Sequence, residues 1–225
     1  MKTCCITWTC ERDWALAVRH LGLVPDDWAV VWVVSGADYE RFKNCVPARV
    51  ELWVCDFNRG GTLRGNSAIC GMRAVFKVLA QRGFDCIVKL DSDTALFEPR
   101  AFTAPIEFSK CDFAYIRRNE EEGSSRLTAN GCCYAMSARA LARICDDDAF
   151  YPSGIPEQFG GHEDLTFSAF MTAWERDLCF CQINKKLVYM RINQIPAGTA
   201  ICAHYGYLRD EAELLFAAEL AAREK

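Results

Sequence analysis

The 225-residue chain has no apolar run long enough to cross a bilayer as a helix. It also lacks an excess of positive charge. Its 26 Lys and Arg stand against 30 Asp and Glu, a net charge of −4, which excludes the broad basic footprint of a nucleic-acid-binding protein. None of the 14 cysteines forms a Cys-x-x-Cys pair, so zinc-ribbon and thioredoxin-type chemistry have no foothold. No G-K-[ST] and no G-x-G-x-x-G occurs, which removes the Walker phosphate loop and the dinucleotide fingerprint. Histidine is scarce: His20, His162 and His204 are the whole supply. Internal repeats, low-complexity tracts and linkers are absent too, so one domain is expected over 1–225.

Half of the chain, 51%, is hydrophobic and a quarter, 25%, is charged, the profile of an ordinary globular protein with a substantial core. The start, "MKTCCITWTCERD", has one Lys and a short apolar run that meets Glu11, Arg12 and Asp13, with no small-residue cleavage site. It reads as a first strand and not a signal peptide, and the expected compartment is the cytosol. The cysteines then need another explanation. Cys4, Cys5, Cys55, Cys86, Cys179 and Cys181 sit among Ile, Val, Leu, Phe and Trp, where free Cys acts as a small buried hydrophobe. Cys132-Cys133 and Cys179-x-Cys181 are soft-metal alternatives, and buried thiols are the preferred reading.

The first hundred residues alternate between two periodicities. "TCCITWTC", "AVVWVVSG", "RVELWVCDF" and "DCIVKL" are apolar runs of strand length. Between them, "RDWALAVRHLGLV", "DYERFKNCV" and "NSAICGMRAVFKVLAQRGF" carry helical spacing, the last with Asn66 as a potential cap and Gly83 at its end. Alternating strands and helices, with strands apolar on both faces, predict an α/β fold: a mostly parallel twisted sheet flanked by helices. The second half predicts strands at "CDFAYIRR", "GCCYAMS", "LCFCQI" and "KLVYMRI". Helices are predicted at "ARALARICD", "HEDLTFSAFMTAWERD" and the tail from Asp210. "NEEEGSSRLTAN" and most of "DDDAFYPSGIPEQFGG" read as loop.

Four stretches carry possible chemistry. "KLDSDTALFE" ends a buried strand on Asp91-x-Asp93, and a hard divalent cation takes carboxylates of this kind together with substrate phosphates. A solvated turn is the plain alternative for such a short motif. "FGGHEDLTF" puts Glu163 and Asp164 in a first helical turn, where the dipole favours anions. Capping explains both acids, but a carboxylate beside a metal–diphosphate site also suits proton abstraction from a hydroxyl. "ICAHYGYL" offers His204 as a ligand, although a lone His is more often structural; His20, inside an amphipathic helix, reads as part of that helix. Arg12, Arg64, Arg73 and Lys89 are basic residues suited to phosphate or a nucleobase, with solvation the alternative for each. Arg64 lies in "RGGTLRGNSA", a glycine-rich loop opening a helix.

Taken in order, these segments resemble the nucleotide-sugar-dependent glycosyltransferases of the GT-A fold, over residues 3 to about 208. "ITWTCERD" is similar to the family's first nucleotide contact, and "GNSAICGMRAVFKVLAQRGFDCIVKLDSD" to its approach to D-x-D. "ANGCCYAMS" resembles the strand under the donor sugar, "GGHEDL" the x-E-D motif and "AHYGY" the late metal-binding His. The resemblance implies a nucleotide-binding half over 1–100 and an acceptor and catalytic half over 101–225. Asp93 and His204 would hold Mn²⁺ or Mg²⁺, and Asp91 would reach the ribose or the metal. Asp164 would be the base of an inverting displacement, and Glu163 would orient the acceptor. Thr9, Asp38, Arg64 and Arg73 would contact the nucleotide. The implied donor is a nucleotide-diphosphate sugar, UDP-sugar favoured, and the acceptor a glycan, a lipid-linked group or a protein. "VSGADYE" departs from the family's Asp-rich turn after the second strand, at Asp38.

Two rivals remain at this stage. "LDSDTALFE" also matches the D-x-D-x-T loop of haloacid dehalogenase-type phosphatases, with Asp91 as nucleophile and Asp93 as acid/base. That loop normally follows the first strand of its sheet, whereas several βα units precede it here. The other rival is a non-catalytic nucleotide-sugar-binding module.

Overall fold

The computed structural model describes residues 1–55, 67–117, 129–155, 163–174, 177–183, 188–189, 198–205 and 212–224. Its first half is the expected alternation. β1 (Thr3–Trp8), α1 (Trp14–His20), β2 (Ala29–Val34), α2 (Gly36–Phe42), β3 (Val50–Val54), α3 (Ser67–Gln81) and β4 (Cys86–Asp91) follow in order. Then come β5 (Thr94–Leu96), α4 (Pro99–Glu107), β6 (Phe113–Arg117), β7 (Ala129–Ser137), α5 (Ala138–Cys145), α6 (Asp147–Phe150) and α7 (Glu163–Trp174). β8 (Phe180–Ile183), β9 (Val188–Tyr189), β10 (Cys202–His204) and α8 (Ala212–Arg223) complete the described elements.

Seven strands form one sheet in the order β3-β2-β1-β4-β7-β6-β8. β1 pairs parallel with both β2 and β4, and β2 parallel with β3. β7 is inserted antiparallel between β4 and β6. The central strands are apolar on both sides, as parallel strands under two helical layers must be. Cys4, Ile6, Trp8, Val31, Val33 and Ile87 face a core completed by α3, α5 and α7, including Phe76, Leu141, Phe167 and Phe170. Cys5, Val30, Trp32, Cys86 and Val88 face the other way, onto Ala17 and Leu21 of the α1 region and Phe102 and Ile106 of α4. Thus the chain runs outward from β1 to β2 and β3, then returns to place β4 on β1's opposite side. This is a topological switch point, and in open α/β sheets the ligand crevice lies outside the carboxyl ends of the strands there.

A second sheet of three short strands, β5-β10-β9, lies against α8. β5, β10 and α4 are not predicted from the sequence: three-residue strands carry no readable period, and the prolines at 99 and 105 argue against a helix in α4. The stretch 146–162, expected to be mostly loop, holds α6 and a 3-10 turn at Tyr151–Ser153. Asp146 caps α6 by accepting from the Asp148 N–H at 3.0 Å. The fourteen cysteines are all free thiols, and those in central strands are buried as expected. Cys55 and Cys181 are only half-buried, and Cys179 departs further from that expectation and is exposed. It lies just before β8, where its N–H donates to Asp112 Oδ2 and its carbonyl accepts from the Asp112 and Phe113 N–H groups, so its backbone is held while its thiol faces out.

Candidate active site

β1 and β4 end side by side, with Trp8 in register with Asp91. From the end of β4 the chain turns through Ser92 and Asp93 into β5, which pairs antiparallel with β10. In that register Thr94 stands opposite His204, and the Tyr205 N–H donates to the Asp93 carbonyl at 2.8 Å. The pairing carries an imidazole across more than a hundred residues of sequence to the two carboxylates. One ligand atom each from Asp91, Asp93 and His204 lies within 4.8 Å of the others.

The donor set suits a hard divalent cation: two carboxylates and one imidazole. Two bonds of about 2.1 Å at a right angle put their donor atoms about 3 Å apart. His204 Nδ1 and Asp93 Oδ1 are 3.2 Å apart, so the spacing fits neighbouring ligands of one ion as well as a hydrogen bond. Thr94 Oγ1 is also 3.0 Å from this Nδ1, a hydrogen bond that a cation bound at Nδ1 would replace. Burial alone would lower the His204 pKa, but the hydrogen bond and charge of Asp93, with Asp91 adding, bring it above its ordinary value. The two carboxylates therefore favour positive charge at the imidazole, where a cation would replace the proton.

Two neighbours shape the pair of aspartates. Lys89, two residues before Asp91 on the same face of β4, is buried; its Nζ donates to Asp91 Oδ1 at 2.6 Å and to the Gly131 carbonyl on β7. The sequence marked Lys89 only as a cation suited to phosphate. A lysine inside an otherwise apolar strand, two residues from a carboxylate, is the signal that identifies an internal counter-charge. Asp13 was missed altogether. It is 2% exposed and accepts from Ser92 Oγ at 3.3 Å, between the two site aspartates, and from Arg12 Nε at 3.2 Å. Arg12 extends into solvent from this anchor, its pKa raised by the bond to Asp13 and further by the nearby charges, Asp93 among them.

The other predicted residues fall as follows. Thr9 immediately follows β1; its hydroxyl is buried and finds no partner among the described residues. Asp38 accepts from the Glu11 N–H at 3.2 Å and from Ser35 Oγ at 3.0 Å, joining the β1 exit to the first turn of α2. Arg73 is not brought to this group. It is buried against α5 and α6, donating from Nε to the Ile144 carbonyl at 2.7 Å and pairing with Asp147 at 2.8 Å, with its guanidinium over Phe150 and Tyr151. Glu163 and Asp164 open α7, as expected, but their side chains lie outside the described residues. Arg64, Asn66 and His162 lie outside them altogether.

The architecture can now be set beside known structures. A solved structure of an active-site mutant of LgtC superposes with a TM-score of 0.61, covering 97% of this chain and 95% of that one at 11% identity. Mouse xyloside xylosyltransferase 1 gives 0.51 at 12% identity over 97% and 93% of the two chains. A glycosyltransferase involved in glycosylation of the PBCV-1 major capsid gives 0.55 at 12%, over 96% of this chain and all of that one. This is the GT-A glycosyltransferase fold. No family model and no curated protein matches the sequence. At such low identity the likeness is carried by backbone topology, and in this GT-A domain the Asp91, Asp93 and His204 group sits at the switch point. No described helix is long and apolar enough to cross a membrane.

Proposed function

We propose that the chain is a metal-dependent glycosyltransferase that moves a sugar from a nucleotide-diphosphate sugar to an acceptor hydroxyl. The observation that carries this reading is the convergence of Asp91, Asp93 and His204 at the switch point of a GT-A sheet. Asp93 and His204 would hold Mn²⁺ or Mg²⁺, with Asp91 as a third ligand or a ribose contact. When bound, the cation supplies Lewis-acid neutralisation of the departing diphosphate. Lys89 occupies one oxygen of Asp91, and the other oxygen is the one proposed to meet the cation or the ribose. The buried Thr9 hydroxyl, which has no partner among the described residues, follows β1, and the Asp38 turn follows β2; both are proposed nucleoside contacts, and Arg12 brings positive charge to the same edge. Arg64 remains a proposed nucleotide contact.

On this reading Asp164, in the first turn of α7, takes the proton from the acceptor hydroxyl, which makes the displacement inverting, and Glu163 orients the acceptor. LgtC, a galactosyltransferase, has been crystallised with donor and acceptor sugar analogues, which supports the same classes of ligand here. A UDP-sugar is the favoured donor and a glycan, lipid-linked or protein hydroxyl the acceptor, acting in the cytosol. The phosphatase reading, which would take its later acids from the cluster Asp146 to Asp148, is disfavoured because Asp93 is bonded to His204, Asp146 caps α6 and Asp147 pairs with Arg73 and Lys77. The test is a thermal-shift panel of UDP-, GDP-, CMP- and dTDP-sugars with and without Mn²⁺. Ligand binding to the folded state raises the melting temperature by mass action. A rise that needs both Mn²⁺ and one nucleotide class is expected; no Mn²⁺-dependent rise with any donor removes the reading.

A further inference from the structure

The proposed metal site borrows one ligand from a strand only three residues long, Cys202–His204, and that strand needs an anchor of its own. Two residues beyond its start, β10 is fixed by the pairing of His204 with Thr94. Just before it, the backbone of 198–201 is held by α8. Glu219, 7% exposed, accepts the Gly198 N–H at Oε2 (2.7 Å) and the Ala200 N–H at Oε1 (3.1 Å). Arg223, one turn later, donates Nε to Glu219 Oε1 at 3.1 Å and Nη2 to the Ala200 carbonyl, and pairs through Nη1 with Glu98 at 2.6 Å. Glu98 and Phe97, just past β5, both donate their N–H groups to the Ile201 carbonyl. The segment leading into His204 is therefore clamped between the end of β5 and the inner face of α8.

This arrangement has a cost that asks for a purpose. A buried carboxylate loses hydration, and an ion pair in its place is seldom worth more than a well-packed apolar contact. Phe216 already docks α8 on Phe97 and His20, and Arg19 pairs with Glu213 at 2.6 Å, so the helix has other attachments. What Glu219 adds is direction: two N–H groups two residues apart, both bound to one carboxylate, fix the path of the backbone into β10. Groups that orient ligands from behind set metal affinity as surely as the ligands do.

We propose that Glu219 is a positioning residue for the metal site, fixing through residues 198–200 the strand that brings His204 to Asp93. This rests on the proposed function above, in that the ion is the one assigned to Asp91, Asp93 and His204. The test measures Mn²⁺ binding by electron paramagnetic resonance in wild type, Glu219→Ala, Glu219→Gln and Arg223→Met, with no donor present. Amide hydrogen exchange over 198–205 is followed in the same proteins without metal. Glu219→Ala is expected to weaken Mn²⁺ binding about 3- to 10-fold, less than the 10- to 100-fold typical of a group bonded directly to a ligand, because Glu219 acts on His204 through the backbone. Glu219→Gln, which keeps an oxygen acceptor, should recover part of that loss, and exchange at 198–205 should quicken in the same order. If Glu219→Ala does not fold, Glu219→Gln and Arg223→Met are read in its place. Mn²⁺ affinity within twofold of wild type, or unchanged exchange at 198–205, overturns the proposal and leaves the metal site standing. A wild type that binds no Mn²⁺ overturns the metal reading itself, and this proposal with it.

Discussion

Lys89 and His20 show how much a single buried side chain decides. The Lys89 ammonium is almost wholly enclosed, and its partners include Asp91 and a backbone carbonyl on the neighbouring strand. Lys89→Met keeps the length and removes the charge, leaving Asp91 and the carbonyl to find other partners. Stability should fall by about 2–3 kcal/mol, the range for a hydrogen bond to a charged group, read by urea unfolding at pH 7 without metal. A loss below about 0.5 kcal/mol would mean that solvent already serves Asp91. His20 is buried between Tyr205 and Phe216, and burial pushes its pKa down to about 4, against the opposing pull of the Ser92 backbone and the Asp93 charge. The unfolded chain protonates near 6.5, so between pH 6.5 and 4 it binds more protons than the folded one. The contribution of the neutral ring is complete above pH 6.5 and is lost as pH falls toward 4, by up to about 3 kcal/mol. His20→Phe keeps the ring contacts and should lose about 2 kcal/mol less than wild type between pH 7 and pH 4.5, read by urea unfolding at both. At this scale the sequence was only half legible. Asp91, Asp93 and His204 were readable by residue type, whereas Asp13 looks like any acid before a helix until its burial is known.

Element by element, legibility followed length. The central strands and their helices announce themselves through runs and periods, and Gly83 marks the end of α3 with φ of +66°. β5 and β10 do not, because their pairing is a long-range event between segments too short to show alternation. Arg73 was legible as a cation suited to phosphate or a nucleobase but not as a buried one: it joins α3 to α5 and α6 through Ile144, Asp147 and two aromatic rings. Gly198 belongs to this scale as well. Its φ of +88° lies in the left-handed region, and an added Cβ would meet the Ala222 side chain and backbone carbonyl oxygen at 3.2 Å. Gly198→Ala should cost about 1–2 kcal/mol from backbone conformation alone. For a chain of this size that lowers the melting temperature by about 3–6 °C, measured by calorimetry. A change under about 1 °C would mean that the 198–201 connection relaxes freely, contrary to its bonding.

For the whole molecule, the switch point between β1 and β4 divides the labour. The strand ends on one side gather Thr9, Asp91 and Asp93 with His204, and all but His204 come from the first hundred residues. The second half supplies β7 under the site and α7, whose first turn carries Glu163 and Asp164. The position of these acids was legible as a helix start preceded by two glycines, but their chemistry depends on side chains that secondary structure does not fix. If binding and proton transfer are separable in this way, removing the base should leave binding untouched. Asp164→Asn preserves shape and hydrogen bonding while eliminating the basic oxygen, and should lower transfer about 10²- to 10⁴-fold, the usual contribution of a positioned general base. Mn²⁺ and nucleotide binding, followed by thermal shift, should stay within twofold of wild type. The product anomer, read by NMR, must then be inverted relative to the donor, because a base that activates the acceptor directly brings it in opposite the leaving diphosphate. Unchanged transfer in Asp164→Asn, or a product that keeps the donor's configuration, would take the base assignment away from Asp164 while leaving the metal group of Asp91, Asp93 and His204 to be tested on its own terms.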